Sequence, residues 1–359
     1  MPDLSLTISG RRYGGWEKAR VQRAINQLAG SFSLTLSDRW PGQPQRQALK
    51  RGAPCLLEVG GQALITGYLD EVSISYAAES HTISAQGRGK TADLVDCCHD
   101  GQECQWKDQD LLQLAQLLCR PFDIEVLAEV EVGDPFPTVS YGQGDTIFSL
   151  LARLAQQRGL LLTSDGQGRL VITAAARERL PGALCLGQNI ISGQMRVSER
   201  ERFSHYIVKG QGQTSGGVAD SLFEDDPKEA MSPQGQASDP GVTRHRPLVI
   251  LADTAENTGS FERRARWEAV TRAGRSQSVS YTVAGWGPEP GTLWQPNRLV
   301  KVQDDYLGLD QDLLVEQVEY SLDENGAQSR LTLVPPDAYA PKPAADQAKK
   351  MKSPWDFGS

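Results

Sequence analysis

The sequence predicts a β-rich α+β protein in which two similar small β-barrels flank an α/β unit. Three observations carry this reading. Short alternating segments bounded by turns fill the first hundred residues, the hydrophobic period becomes helical between about 99 and 178, and alternation returns toward residue 335. At about 150 residues per domain, 359 residues leave room for more than one core.

Leu4–Ile8 and Ser31–Leu36 alternate apolar with polar residues, so each is expected as a half-buried strand. Pro54 opens an apolar strand to Val59, Gly60 and Gly61 supply a turn, and Ala63–Ile65 returns as a hairpin. Gly67–Tyr76 and His81–Gln86 form the next pair, completing an N-terminal barrel over 1–98. Asp108 is then read as the cap of a helix whose Leu111, Leu114, Ala115 and Leu118 share one face before Pro121 stops it. A short strand at Ile124–Leu127 follows. Asp145 is read as a second cap, with Ile147, Phe148, Leu151, Leu154 and Ala155 as the apolar stripe and Gly159 just beyond the helix end. Leu160–Thr163 and Leu170–Thr173 pair across a Ser164–Gly168 turn, which closes the α/β domain of 99–178.

The second barrel domain is expected over 179–335. Its strands are Phe203–Lys209, Pro247–Leu251, Ser276–Val283, Leu299–Val302, Asp312–Tyr320 and Arg330–Val334, with a helix at 260–273. Residues 210–245, rich in Gly, Ser, Asp and Pro, are expected as a long surface insertion, and 336–359 as a flexible tail. Pro54–Val59, Tyr68–Tyr76 and His81–Gln86 recur in order as Pro296–Val302, Leu313–Tyr320 and Ser329–Val334. The pattern alone does not separate true duplication from two similar meanders.

Charged residues make up 23% and apolar ones 39%, which excludes a disordered chain. The net charge of −8 argues against a generic nucleic-acid binder, so any such contact would be a local patch. No apolar run reaches the roughly 18 residues of a membrane span, and the first residues lack the basic and apolar regions of a signal peptide, so a membrane partner is not expected and folding in the cytoplasm is. Six cysteines in a chain this long are then expected as thiols, without disulfides.

Catalytic patterns are missing from the sequence: it has no G-x-S-x-G elbow, P-loop lysine or H-E-x-x-H helix, and no cofactor is implied. The nearest approach to a metal set is Cys97, Cys98, His99 and Cys104, with Cys119 beyond, but the spacing is not that of zinc knuckles and Cys119 falls on an apolar helix face. No metal is assigned. Asp220, Glu224, Asp225 and Asp226 crowd a polar loop and read as solvated. The helix holding Arg263, Arg264, Arg266 and Arg272 is the one basic element, read chiefly as an amphipathic scaffold whose arginine stems lie over a partner or the barrel. Exposed tryptophans among the seven would mark an interface.

Several segments resemble the baseplate hub proteins of Mu-like contractile-tailed bacteriophages, relatives of the hub part of type VI secretion VgrG proteins. They are Gly67–Asp70, Gly87–Asp96, Gln105–Lys107, Phe203–Gly210, Thr243–Ile250, Leu293–Asn297 and Leu307–Leu309, and the helix Asp145–Gly159 is similar to one in VgrG-type hubs. The resemblance spans residues 1 to about 335. It implies a homotrimer in which two barrels per subunit form a pseudo-sixfold ring. That ring would adapt a threefold central spike to a sixfold tail tube, in contact with baseplate wedge proteins, in a virion assembled in the bacterial host cytoplasm. Arg263, Arg266, Trp355 and Phe357 are the candidate partner contacts. The competing readings are a cell-wall hydrolase or other tail enzyme, and a DNA-contacting channel.

Overall fold

A computed structural model describes residues 3–37, 49–77, 81–210, 234–252 and 258–343. The N-terminal strands are β1 (Leu4–Ile8), β2 (Arg11–Tyr13), β3 (Lys18–Ala24), β4 (Ser31–Ser37), β5 (Pro54–Val59), β6 (Gln62–Tyr76) and β7 (His81–Gly89). Next come α1 (Ala92–Asp96), β8 (Gln105–Gln109), α2 (Leu111–Cys119), β9 (Val126–Ala128), β10 (Phe136–Ser140), α3 (Ile147–Gln157), β11 (Leu161–Ser164) and β12 (Leu170–Thr173). The chain continues through β13 (Arg179–Cys185), β14 (Ile190–Val197), β15 (His205–Lys209), β16 (Gln234–Ser238), β17 (Pro247–Leu251) and α4 (Thr258–Arg275). It ends in β18 (Gln277–Ala284), β19 (Leu299–Asp304), β20 (Leu309–Asp323) and β21 (Gly326–Val334). No helix among the described residues is long and apolar enough to cross a membrane.

Contacts divide the chain into two units, Met1–Arg196 with Gln277–Pro336, and Val197–Ser276 with the chain from Asp337. In the first unit a 13-stranded sheet runs β14-β18-β21-β20-β3-β4-β7-β6-β5-β1-β2, with β19 pairing β20 and β13. Two halves of this sheet repeat one strand order, β3-β4-β7-β6-β5-β1 and β14-β18-β21-β20-β19-β13. The lengths repeat as well, because β5 and β19 have six residues, β6 and β20 fifteen, and β7 and β21 nine. Each long strand also carries one extra residue opposite its shorter partner, Asp70 in β6 and Glu316 in β20. The halves differ in how this last strand is joined: β1 meets β5 antiparallel, whereas β13 meets β19 parallel.

The repeats meet where β20 pairs antiparallel with β3, from Gln317 opposite Ala24 to Leu322 opposite Ala19. Inward residues of both halves, including Leu34, Leu57, Leu69, Tyr281, Val318 and Leu331, form one apolar cluster. The two expected barrels are therefore corrected in one respect. Among the described residues no strand path closes; the alternating strands continue instead into a shared sheet.

The α/β segment has its own core, in which Leu111, Leu114 and Leu118 of α2 meet Ile147, Leu151 and Leu154 of α3. Two cap expectations shift by one or two residues. Asp110 caps α2, its carboxylate accepting from the Gln113 backbone N–H at 2.8 Å while the Gln113 side chain accepts from Asp110 N–H at 3.0 Å. Asp108 has a positive φ of 53° at the end of β8, a geometry unsuited to a cap. Thr146, not Asp145, caps α3, because its extended backbone lets the hydroxyl accept from Ser149 N–H at 3.2 Å. Gly159, with φ of 67°, follows the helix end as expected.

In the second unit β15 lies between β16, antiparallel, and β17, parallel. Phe261, Ala265 and Ala269 recur every four residues on α4 and pack with Tyr206 and Val208 of β15. A Cβ at Gly235 would stand 2.7 Å from that of Phe261, so a glycine lets the helix lie close to β16. The expected surface insertion is corrected here: 234–238 is a strand and Asp239 is buried, while 211–233 lies outside the described residues. The expected flexible tail begins with a 3-10 turn at Pro336–Tyr339 whose Ala338 is buried; residues 344–359 lie outside the described residues.

The crossing of β6 and β7 depends on glycine. A Cβ at Gly67 would stand 2.7 Å from the Gly89 Cα, and one at Gly87 would stand 2.6 Å from the Phe32 ring. Gly67→Ala is expected to lower the unfolding free energy by roughly 2–3 kcal/mol, as overpacking of a tight contact does. Gly14→Ala, whose nearest neighbour would be an ordinary 3.8 Å away, should stay within about 0.5 kcal/mol in the same denaturant titration.

Candidate assembly surfaces

The segments that carry the family resemblance meet one another in space. Asp70, thrown out of the ladder by the β6 bulge, accepts from Arg88 Nε at 2.7 Å, and the same guanidinium reaches Asp96 at 2.8 Å. Gly67–Asp70 and Gly87–Asp96 are thus one structure, with Arg88 tying β6, β7 and the end of α1. Burial, and then the neighbouring Asp96, push the Asp93 carboxyl above its ordinary range.

Phe203–Gly210 and Thr243–Ile250 likewise contribute the paired strands β15 and β17. Ser204 Oγ accepts from the Arg246 backbone N–H at 2.8 Å, and the Arg246 guanidinium lies 5.0 Å over the Phe203 ring. In Leu293–Asn297, Trp294 is fully buried and Asn297, at a φ of 59°, clamps the preceding loop by accepting from Ala176 N–H at 2.8 Å and donating to Ala174 O at 2.9 Å. These residues build the framework rather than a reaction centre.

The basic helix is largely self-neutralised. Glu268, buried on α4, accepts from Arg264 at 2.8 Å and from Arg272 at 3.0 Å, one turn away on either side. Arg266 projects to solvent 3.8 Å from Glu262, and Arg263 is also exposed. Arg264 and Arg272 are thus held by the buried Glu268, and Arg266 is paired more loosely with the exposed Glu262. Trp355 and Phe357 lie outside the described residues.

The cysteine and histidine stretch is built as packing. His99 Nε2 lies 3.1 Å from the Glu103 carbonyl, its ring meets Trp106 and Tyr141 edge-on at 5.6 Å, and its backbone N–H donates to the Tyr141 hydroxyl at 2.8 Å. Among the described residues no three His, Cys, Asp or Glu side chains gather as a metal set. Cys119 is buried on α2, and that burial pushes its thiol up to about 12. Trp16, Trp106, Trp286 and Trp294 are all buried, so these tryptophans serve cores and not the interface expected of exposed ones.

Among the described residues, several strands leave apolar side chains exposed. In β6 the alternating Val72, Ile74 and Tyr76 belong to one face, yet Ile74 is 47% and Tyr76 80% exposed. In β14, at the opposite end of the sheet path, Ile191 is 55% exposed. Val249 and Leu251 of β17 project outward while Leu248 and Ile250 face α4's cluster. Sequence alternation marked the β6 segment as amphipathic, but nothing in the sequence told that its apolar face lacks a cover. β14 escaped notice because Gly193 interrupts its alternation.

A duplicated, bulge-marked sheet with uncovered strands defines a structural assembly protein, and the comparisons place that class in phage tails. Three family profiles match: "Mu phage baseplate assembly protein GpP-like, N-terminal" at residues 3–89, "Baseplate hub protein gp44-like, second domain" at 91–174, and "Mu phage baseplate assembly protein GpP, fourth domain" at 257–342. The baseplate hub protein gp44 of Escherichia phage Mu is 34% identical over 341 residues, covering 94% of this chain and 88% of that protein. Among solved structures, the 43 kDa tail protein of prophage MuSo2 from Shewanella oneidensis superposes with a TM-score of 0.83 at 35% identity, covering 94% of this chain and 99% of that one. A tail protein from Neisseria meningitidis MC58 superposes with a TM-score of 0.78 at 22% identity, covering 94% and 99%. The chain belongs to the baseplate hub proteins of Mu-like phages and prophages, structural components of the virion tail.

One buried ion pair in the framework is open to direct test. Arg202 donates to both oxygens of Asp239, at 2.6 and 2.9 Å, which holds that carboxyl below its usual range. Arg202→Ala should cost roughly 3 kcal/mol, since it strands a buried carboxylate. A lowered folded pKa gives stability that is present above the unfolded value and lost as pH falls through the folded one. Asp239→Asn is therefore expected to weaken the fold at pH 7 while flattening its acid limb below about pH 4 in pH-dependent unfolding.

Proposed function

We propose that this hub acts as a homotrimeric ring that adapts a threefold central spike to a sixfold tail tube, with baseplate wedge proteins at its periphery. The observation that carries the reading is the repeated strand order, β3-β4-β7-β6-β5-β1 and β14-β18-β21-β20-β19-β13 within one chain. Three copies of a duplicated chain present six similar half-sheets. Such a ring meets a threefold partner through the differences between its halves and a sixfold partner through their likeness. The halves act as two barrel-like lobes, and binding, not catalysis, is the activity. The exposed Arg266 and Arg263, together with Trp355 and Phe357, are the proposed partner contacts.

The hydrolase reading has no observation in its favour, and the relatives are named as tail and baseplate hub proteins. A DNA-contacting channel is disfavoured by the commitment of Arg264 and Arg272 to Glu268. Co-expression with the spike protein of the same tail tests the proposal. The expected product is one species with three copies of each chain by native mass spectrometry. Separate elution of the two proteins would contradict it.

A further inference from the structure

The repeat pairs each strand of one half with a counterpart in the other, and one junction lacks its counterpart. Aligned at the bulge residues, Asp70 corresponds to Glu316, so Glu71–Tyr76 corresponds to Gln317–Leu322. In β20 that segment has both edges paired, one to β21 and the other to β3. In β6 the equivalent segment pairs, among the described residues, with β7 alone, because β5 reaches no further than Tyr68. The strand corresponding to β3 in the other half is β14, whose one neighbour among the described strands is β18. One chain thus holds a complete β20–β3 junction together with the two unjoined parts of a second.

Burial follows the same logic. Val318 and Tyr320 are fully buried beside the β20–β3 junction, whereas their counterparts are a half-covered Val72 and an Ile74 that is 47% exposed. Burying such side chains is favourable, so the open edge is left with apolar surface that a paired strand would cover. The charges also match. The segment Glu71–Tyr76 carries a single acid and no base, and β14 carries a single base, Arg196, and no acid.

We propose that Glu71–Tyr76 of one copy pairs antiparallel with β14 of the next, reproducing between chains the junction that β20 and β3 make within one. The occupant of each edge is a second copy of this chain. Such a contact is head-to-tail, so it closes into a ring when every copy uses both edges. Three copies then give six sheet junctions, three within chains and three between them. The proposal rests on the ring reading above, which supplies the number of copies and not the edge.

The test uses the full chain with Ile74→Lys and, separately, Ile191→Lys, both at exposed positions, with circular dichroism and thermal melting to verify folding. Light scattering during size exclusion should give a three-chain mass for the unaltered protein. Each variant should give one chain, with self-association weakened at least ~30-fold, as expected for loss of a central apolar contact. An equimolar mixture of the two variants should form a two-chain species, because one intact β14 can still meet one intact β6. Two folded variants that keep the three-chain mass would overturn the junction while leaving the ring in place. An unaltered chain that stays single at every concentration would overturn the ring as well.

Discussion

The antiparallel pairing of β20 with β3 is the constraint on which the rest of the first unit depends. It joins strands almost three hundred positions apart in the chain into one ladder of six residue pairs. Because Val21, Val318 and Tyr320 beside it are fully buried, the two repeats share an apolar core and are not independent modules. The ion pair across it, Arg20 to Glu319 at 2.9 Å, is largely solvated on the arginine side and adds little. Backbone pairing and apolar burial hold the junction, and both are properties that a repeated strand can reuse elsewhere.

Bulges and glycines set the register that makes the halves comparable. Asp70 and Glu316 each bend a fifteen-residue strand, so one end of it pairs with a short strand and the other with a nine-residue partner. Glu316 uses its displaced backbone to accept from Ile25 N–H at 2.8 Å, linking the bend to the junction itself. Asp70 turns its displaced side chain to Arg88 instead. The same backbone device therefore closes a contact in one half and leaves an edge in the other.

Much of this was legible in the sequence, for identifiable reasons. Period-2 alternation found β1, β4, β7 and β18, and the heptad-like stripes found α2 and α3, because each element buries one face. The repeat was visible in three strand pairs, though the sequence could not say that the repeats join through β3, which Arg20, Gln22 and Arg23 disguise as a polar segment. The caps were misplaced for two reasons: Asp108 has the right chemistry at a positive φ, which a cap does not adopt, and Asp145 stands one residue before Thr146, whose extended backbone and hydroxyl make the cap. β16 was hidden in a Gly- and Ser-rich stretch, where Gly235 serves the approach of α4 and Arg202 anchors the following Asp239. As for the candidate contacts, the charge on α4 was legible and so was the four-residue spacing by which Glu268 can pair with Arg264 and Arg272; that Glu268 is buried was not, because that depends on which face the sheet covers.

The central claim is that one chain contributes two equivalent half-sheets to a ring. Electron-microscope images of the purified protein viewed down the ring axis test it most directly. A dominant sixfold component in their rotational power spectrum, with a weaker threefold one, is the predicted result. Threefold power without a sixfold component would contradict the equivalence of the two halves.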